Sequence, residues 1–114
     1  MVDETEKNLK ENIKEYISSG DEETAKGRFN SAVNAYYKAL AVLCDLKIYE
    51  KTRVLPKNHS ERFLFLKMHF EEAYKILNPL FNKYTDSYNL RLNKKDVLIF
   101  KENVEKLKRI FNFA

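Results

Sequence analysis

Apolar side chains in this chain return at steps of three and four rather than two. Leu9, Ile13, Tyr16, Ile17, Gly20 and Thr24 fall on one helical face, so the spacing predicts a first helix from about Asp3 to Lys26. Because the face persists through Gly20, that glycine reads as a close-packing position, whereas Gly27 follows the last periodic residue and ends the element. Phe29, Ala32, Val33, Tyr36, Ala39, Leu40, Leu43 and Leu46 then form a stripe broad enough for a central helix, from about Phe29 to Tyr49. The two make an antiparallel hairpin.

In EKTRVLPKN, Pro56 disfavours helical geometry at Leu55 and lacks an amide donor, so an extended connector is expected. Asn58 with Glu61 is a capping-box pattern, in which the Asn side chain accepts the Glu61 amide and the Glu side chain reaches back to the Asn amide. A third helix is predicted from about His59 to Leu77, with Phe63, Leu66, Phe70, Ala73, Tyr74 and Leu77 inward. Asn78-Pro79 should kink or end it, and Pro79 suits the first turn of a short fourth helix reaching about Tyr88. Asn93 with Asp96 repeats the capping pattern. Val97, Phe100, Val104, Leu107 and Phe111 follow as a seam for a neighbouring helix. The expected fold is all-α, an up-and-down antiparallel bundle of four to five helices.

With 114 residues the chain holds one hydrophobic core, and residues 1–114 read as a single domain. Two glycines and two prolines are too few for the frequent turns of a sandwich or barrel. No apolar run approaches the ~18 residues of a membrane span, and the start MVDETEKNLKE resembles neither signal nor transit peptide, so a cytoplasmic protein without a membrane partner is expected. Cys44, the single cysteine, lies in ALAVLCDL and reads as a small buried hydrophobe. Residues 1–57 carry ten acids and ten bases, whereas residues 58–114 carry seven acids and eleven bases, so the net charge of +4 lies in the second half. An excess of this size fits a solvated helix face before it indicates nucleic acid.

GDEETAKGRFNSAVNAYYKAL resembles one tetratricopeptide unit, with Gly20, Gly27, Phe29, Ala32, Tyr36 and Ala39 at its packing positions. No second copy is legible, so the resemblance implies a tight helical hairpin rather than a solenoid. A longer stretch, about residues 20 to 110, resembles the HEPN superfamily of small helical bundles. The resemblance is carried by GRFNSAVNAYYKALAVL, by NHSERFLFL with its histidine at a helix start, by YTDSYNLRL, and by the final amphipathic helix. The corresponding residues are Tyr36, Tyr37, His59, Tyr88, Arg91 and the helix after Asn93. It implies a homodimer, often encoded beside a nucleotidyltransferase-type partner as the helical member of a toxin-antitoxin type module, and in some members a metal-independent RNase.

The RNase members of that superfamily set an arginine a few residues before a histidine. This sequence offers Arg53 with His59 and Arg62 with His69, and both pairs are carried as candidates beside their bland readings of capping, loop anchoring and surface roles. In such a pair histidine moves a hydroxyl proton near neutral pH while arginine steadies the phosphorane. Arg91, Lys94, Lys95, Lys101 and Lys108 are candidate phosphate or partner contacts, with an ion pair to Asp86 as the alternative for Arg91. No glycine-rich phosphate loop, serine elbow or histidine pair at metal spacing is present, so no cofactor or metal is expected. Two further readings compete: a non-catalytic module holding a partner helix in its hairpin or last-helix seam, and a ligand pocket lined by Tyr36, Tyr37, Tyr74 and Tyr88.

Overall fold

The computed structural model describes residues 3–114, which form five helices and no strand: α1 (Glu4–Ala25), α2 (Phe29–Thr52), α3 (His59–His69), α4 (Glu71–Asp86) and α5 (Lys94–Ile110). The expected helical bundle is present. Asp3 caps α1 by accepting the Glu6 amide at 3.1 Å. Gly27, at φ +73°, closes it: its amide donates to Thr24 C=O at 3.0 Å and the Arg28 amide to Glu23 C=O at 2.9 Å. A residue with a Cβ is disfavoured at that left-handed turn.

The α1–α2 hairpin is antiparallel, since Gly20 faces Tyr36 while the Tyr49 hydroxyl donates to the Asp3 carboxylate at 3.0 Å. A Cβ on Gly20 would lie 2.5 Å from Tyr36 Cδ1 and 2.7 Å from Cζ. The glycine therefore lets a buried tyrosine ring rest directly on α1. α2 is the hub of the bundle. Its buried residues run all around it, from Ala32 and Val33 through Tyr36, Tyr37, Leu40 and Cys44 to Ile48. Burial also pushes the Cys44 thiol pKa well up, which keeps it protonated and inert.

α4 crosses α2 antiparallel, with Tyr37 stacked on Tyr84 and Asn34 bonded to Ser87. α5 lies along α2 in the same sense, Lys101 over Tyr36 and Lys47 over Phe111. Val97, Phe100, Val104 and Leu107 are all fully buried. The seam expected to await a neighbouring helix is thus filled from within the chain. No helix among the described residues is long and apolar enough to cross a membrane.

Three expectations need correction. The third helix does not run to Leu77: it ends at His69, and Phe70, at φ −137° and ψ 65°, starts a new direction. Turning there sets the Phe70 ring edge-on against Phe111 at 5.9 Å. Pro79 does not open the fourth helix but lies inside it, on an exposed position, where the Lys75 carbonyl it leaves unbonded can be met by water. Phe63 and Phe70, expected to point inward, are half-buried at the edge of the core, and of the phenylalanines only Phe100 and Phe111 are buried. The capping patterns hold, with one change. Asn93 and Asp96 form the reciprocal box, but at α3 Asn58 accepts from Glu61 while the Glu61 carboxylate reaches the Lys57 amide.

Candidate functional site

Asp45 stands in the apolar middle of α2, where a lone carboxylate could not be left unpaired. Arg62, on the second turn of α3, meets it with two parallel bonds, Nε to Oδ1 at 2.7 Å and Nη2 to Oδ2 at 2.9 Å. Both side chains are only 12–13% exposed. Burial works against the Arg62 charge, but the Asp45 carboxylate outweighs it and holds the arginine pKa above its ordinary value.

The remaining Arg62 nitrogen, Nη1, lies 2.9 Å from His59 Nδ1. Arginine has no acceptor, so Nδ1 must carry the lone pair, and the ring is neutral with its proton on Nε2. Burial and then the Arg62 charge depress the His59 pKa, Asp45 opposing only in part. The open edge of His59 consequently offers an N–H donor and not a base.

Beneath it is an aromatic stack. The His59 ring lies 4.9 Å from Phe81 and 6.1 Å from Tyr37, Tyr37 stacks on Tyr84 at 4.1 Å, and the Tyr84 and Tyr88 hydroxyls meet at 2.9 Å. That hydroxyl contact, with burial second, pushes the Tyr84 phenol up to about 12. The cluster can orient a hydrogen-bond acceptor against His59 Nε2, while the exposed Tyr88 ring packs on Tyr84 at the other end of the stack.

The predicted residues divide differently from their sequence pairing. Arg53 ends α2 in a left-handed conformation, over the Tyr49 ring and ion-paired to Asp3 at 3.2 Å and Glu6 at 4.0 Å. It anchors the start of α1, and the arginine that His59 receives is Arg62. His69, in turn, is not beside Arg62; it packs on Phe65 at 4.5 Å at the far end of α3. Lys101 is bonded to Asp21 at 2.6 Å, and Lys108 lies 3.9 Å from Glu105. Arg91, Lys94 and Lys95 are exposed and make no ion pair among the described residues, so the Asp86 pairing considered for Arg91 does not form. The four tyrosines do not converge, since Tyr36 faces α1 and Tyr74 lies by Lys67.

Sequence reasoning missed Asp45, although an acid inside ALAVLCDL was itself a signal that a cation must come to it. It also missed Asn30. The Asn30 side chain donates to Ser87 and Leu90 carbonyls at 2.8 and 2.7 Å and accepts the Leu92 amide at 3.0 Å, fixing the segment that carries Tyr88 and Arg91 to α2.

A second surface feature lies on the other side of α3. Val54, Leu55, Leu64 and Met68 are 63, 40, 60 and 67% exposed. With Ile48, Pro56 and Phe65 they line an apolar groove of about 340 Å³, with Glu61 and His69 also at its walls. Comparison with protein-family profiles, with curated proteins and with solved structures finds no match for this chain.

Proposed function

We propose that this chain is a self-associating, HEPN-like helical interaction module that acts without catalysis, and that a second copy covers the groove between the end of α2 and α3. The carrying observation is the groove itself: half of the large apolar side chains exposed among the described residues are gathered at Val54, Leu55, Leu64 and Met68. Apolar patches of this kind on small proteins are commonly contact sites. A second copy fits because a two-fold interface must be self-complementary. Antiparallel packing of α3 on its symmetry mate sets Glu61 of one copy towards His69 of the other, with Leu64 and Met68 between them.

Covering four side chains that are about half exposed contributes roughly 1 kcal/mol each per copy, so about 8 kcal/mol in all. The loss of free motion on association costs at least about 4 kcal/mol, which leaves no more than about 4 kcal/mol and gives a weak dimer, millimolar at best. Sedimentation over a concentration series tests this. A concentration-dependent dimer that Leu64→Lys abolishes supports the reading. A wild-type chain that stays monomeric at millimolar concentration sinks it, and a complex only with a different protein would reassign the groove.

A second reading, the nucleic-acid association implied by the HEPN resemblance, is favoured by one observation: Arg91, Lys94 and Lys95 are exposed and without an ion pair among the described residues, within seven positions of the exposed Tyr88. Cations for phosphates next to an aromatic platform suit single-stranded RNA. Fluorescence anisotropy with a labelled RNA should then show binding that weakens steeply with salt; no binding at low salt removes the case. RNase chemistry has less support, because two of the Arg62 nitrogens are already bound to Asp45 and His59 offers no free base.

A further inference from the structure

Between α1, α2 and the segment after α5 there is a cavity of about 290 Å³. Three lysines line it, Lys10 and Lys14 from α1 and Lys47 from α2, with one acid, Glu50. Its apolar wall is Leu43, Phe111 and Phe113, and the Lys47 amine lies 5.7 Å over the Phe111 ring. Lys47 is paired with Glu50 at 3.0 Å and Lys10 lies 3.8 Å from Glu6, but Lys14 has no ion pair among the described residues. With Glu50 facing Lys47 and Glu6 facing Lys10, the cation left over is Lys14, and a concave wall of low polarizability concentrates its potential.

The surrounding chain is built to hold this shape. Asn112, at φ +53°, turns the backbone after α5, with the Phe113 amide donating to Lys108 C=O at 2.9 Å and the Asn112 amide to Arg109 C=O at 3.2 Å. That turn brings Phe113 back into the wall of the cavity and also occupies two carbonyls at the negative end of α5. The remaining negative end of the helix opposes an anion, but only weakly beside three ammonium groups. Although burial acts the other way, the Lys47 contact, a Glu6 contact and the Lys10 charge hold the Glu50 carboxyl below its usual range.

We propose that this cavity binds a small phosphate monoester with an apolar or aromatic body, the phosphate held by Lys10, Lys14 and Lys47 and the body against Phe111 and Phe113. The size agrees: 290 Å³ is about ten water volumes at ~30 Å³ each, room for a phosphate and a single ring. Phenyl phosphate is the probe, titrated by calorimetry and by amide NMR shifts on the full chain.

Saturable binding with shifts at Leu43 and Phe111 but not at Leu64 or Met68 is expected. Affinity should fall about tenfold in Lys14→Ala, the loss of one charged hydrogen bond. Phe113→Ala should weaken phenyl phosphate while leaving inorganic phosphate unchanged. Absence of saturable binding at millimolar probe overturns the proposal, as does binding that Lys14→Ala and Lys47→Ala both leave unaltered. Inorganic phosphate binding as tightly as phenyl phosphate would overturn the role of the aromatic wall. Because the α3 groove lies elsewhere, none of these outcomes depends on self-association.

Discussion

Changing Asp45 to Asn tests whether the Asp45–Arg62 pair is a structural element, as its burial requires. The substitution keeps the shape but removes the charge that faces a guanidinium only 12% exposed, replacing an acceptor by an amide that offers one oxygen. Breaking one partner of a buried pair costs about 3–5 kcal/mol, because the surviving charge stays desolvated. For a 114-residue chain with an unfolding entropy of ~2.1 cal/mol/K per residue, each kcal/mol moves Tm by about 4 °C. Asp45→Asn should therefore lower Tm by roughly 12–20 °C. The double variant Asp45→Leu with Arg62→Met should recover most of that loss, since apolar replacements of both partners leave no stranded charge. Circular dichroism melts at pH 7 read both numbers. A drop of under ~4 °C for Asp45→Asn, or a double variant less stable than the single one, would refute the reasoning.

Gly20→Ala gains helix propensity of about 1 kcal/mol, yet its Cβ would strike the Tyr36 ring, whose hydroxyl is bonded to Asp21 at 2.5 Å. Overpacking of about 1–3 kcal/mol should win, so Tm is expected to fall, whereas Ser18→Ala on the exposed side of α1 should raise it slightly. His59 has a folded pKa below its unfolded value near 6.5, so the unfolded chain takes up its proton first as pH falls. Its stabilising contribution is present above that value and lost as the pH drops through it towards the folded pKa. His59→Gln should flatten the Tm profile between about pH 7.5 and 5.5, and an unchanged slope would contradict the burial of the ring beside Arg62. Phe100→Ala, fully buried, should cost about 3–5 kcal/mol in urea unfolding, and Phe70→Ala, half-buried against Phe111, clearly less.

The helical class, the α1–α2 hairpin with its two glycines, the capped starts of α3 and α5 and the buried stripe of α5 were all legible in the sequence. Each depends on neighbours within a few residues: period, cap and turn chemistry act locally. The break at Phe70 and the passage of α4 through Pro79 were not legible, because a proline signal and a continuous stripe both pointed elsewhere. Packing of Phe70 on Phe111, forty-one positions away, decided the turn. The site shows the same division. His59 at the head of a capped helix could be named from NHSERF, but not its partner. The spacing read along the chain set it with Arg53, whereas in the fold it meets Arg62, since an extended connector through Pro56 returns α3 beside α2. There the buried charge of Asp45 selects Arg62, and Arg62 in turn fixes the ring of His59. Local sequence thus determined which helices form and where they start, while tertiary structure decided which charged side chains meet, because burying a carboxylate is tolerable only where a cation from another helix can reach it.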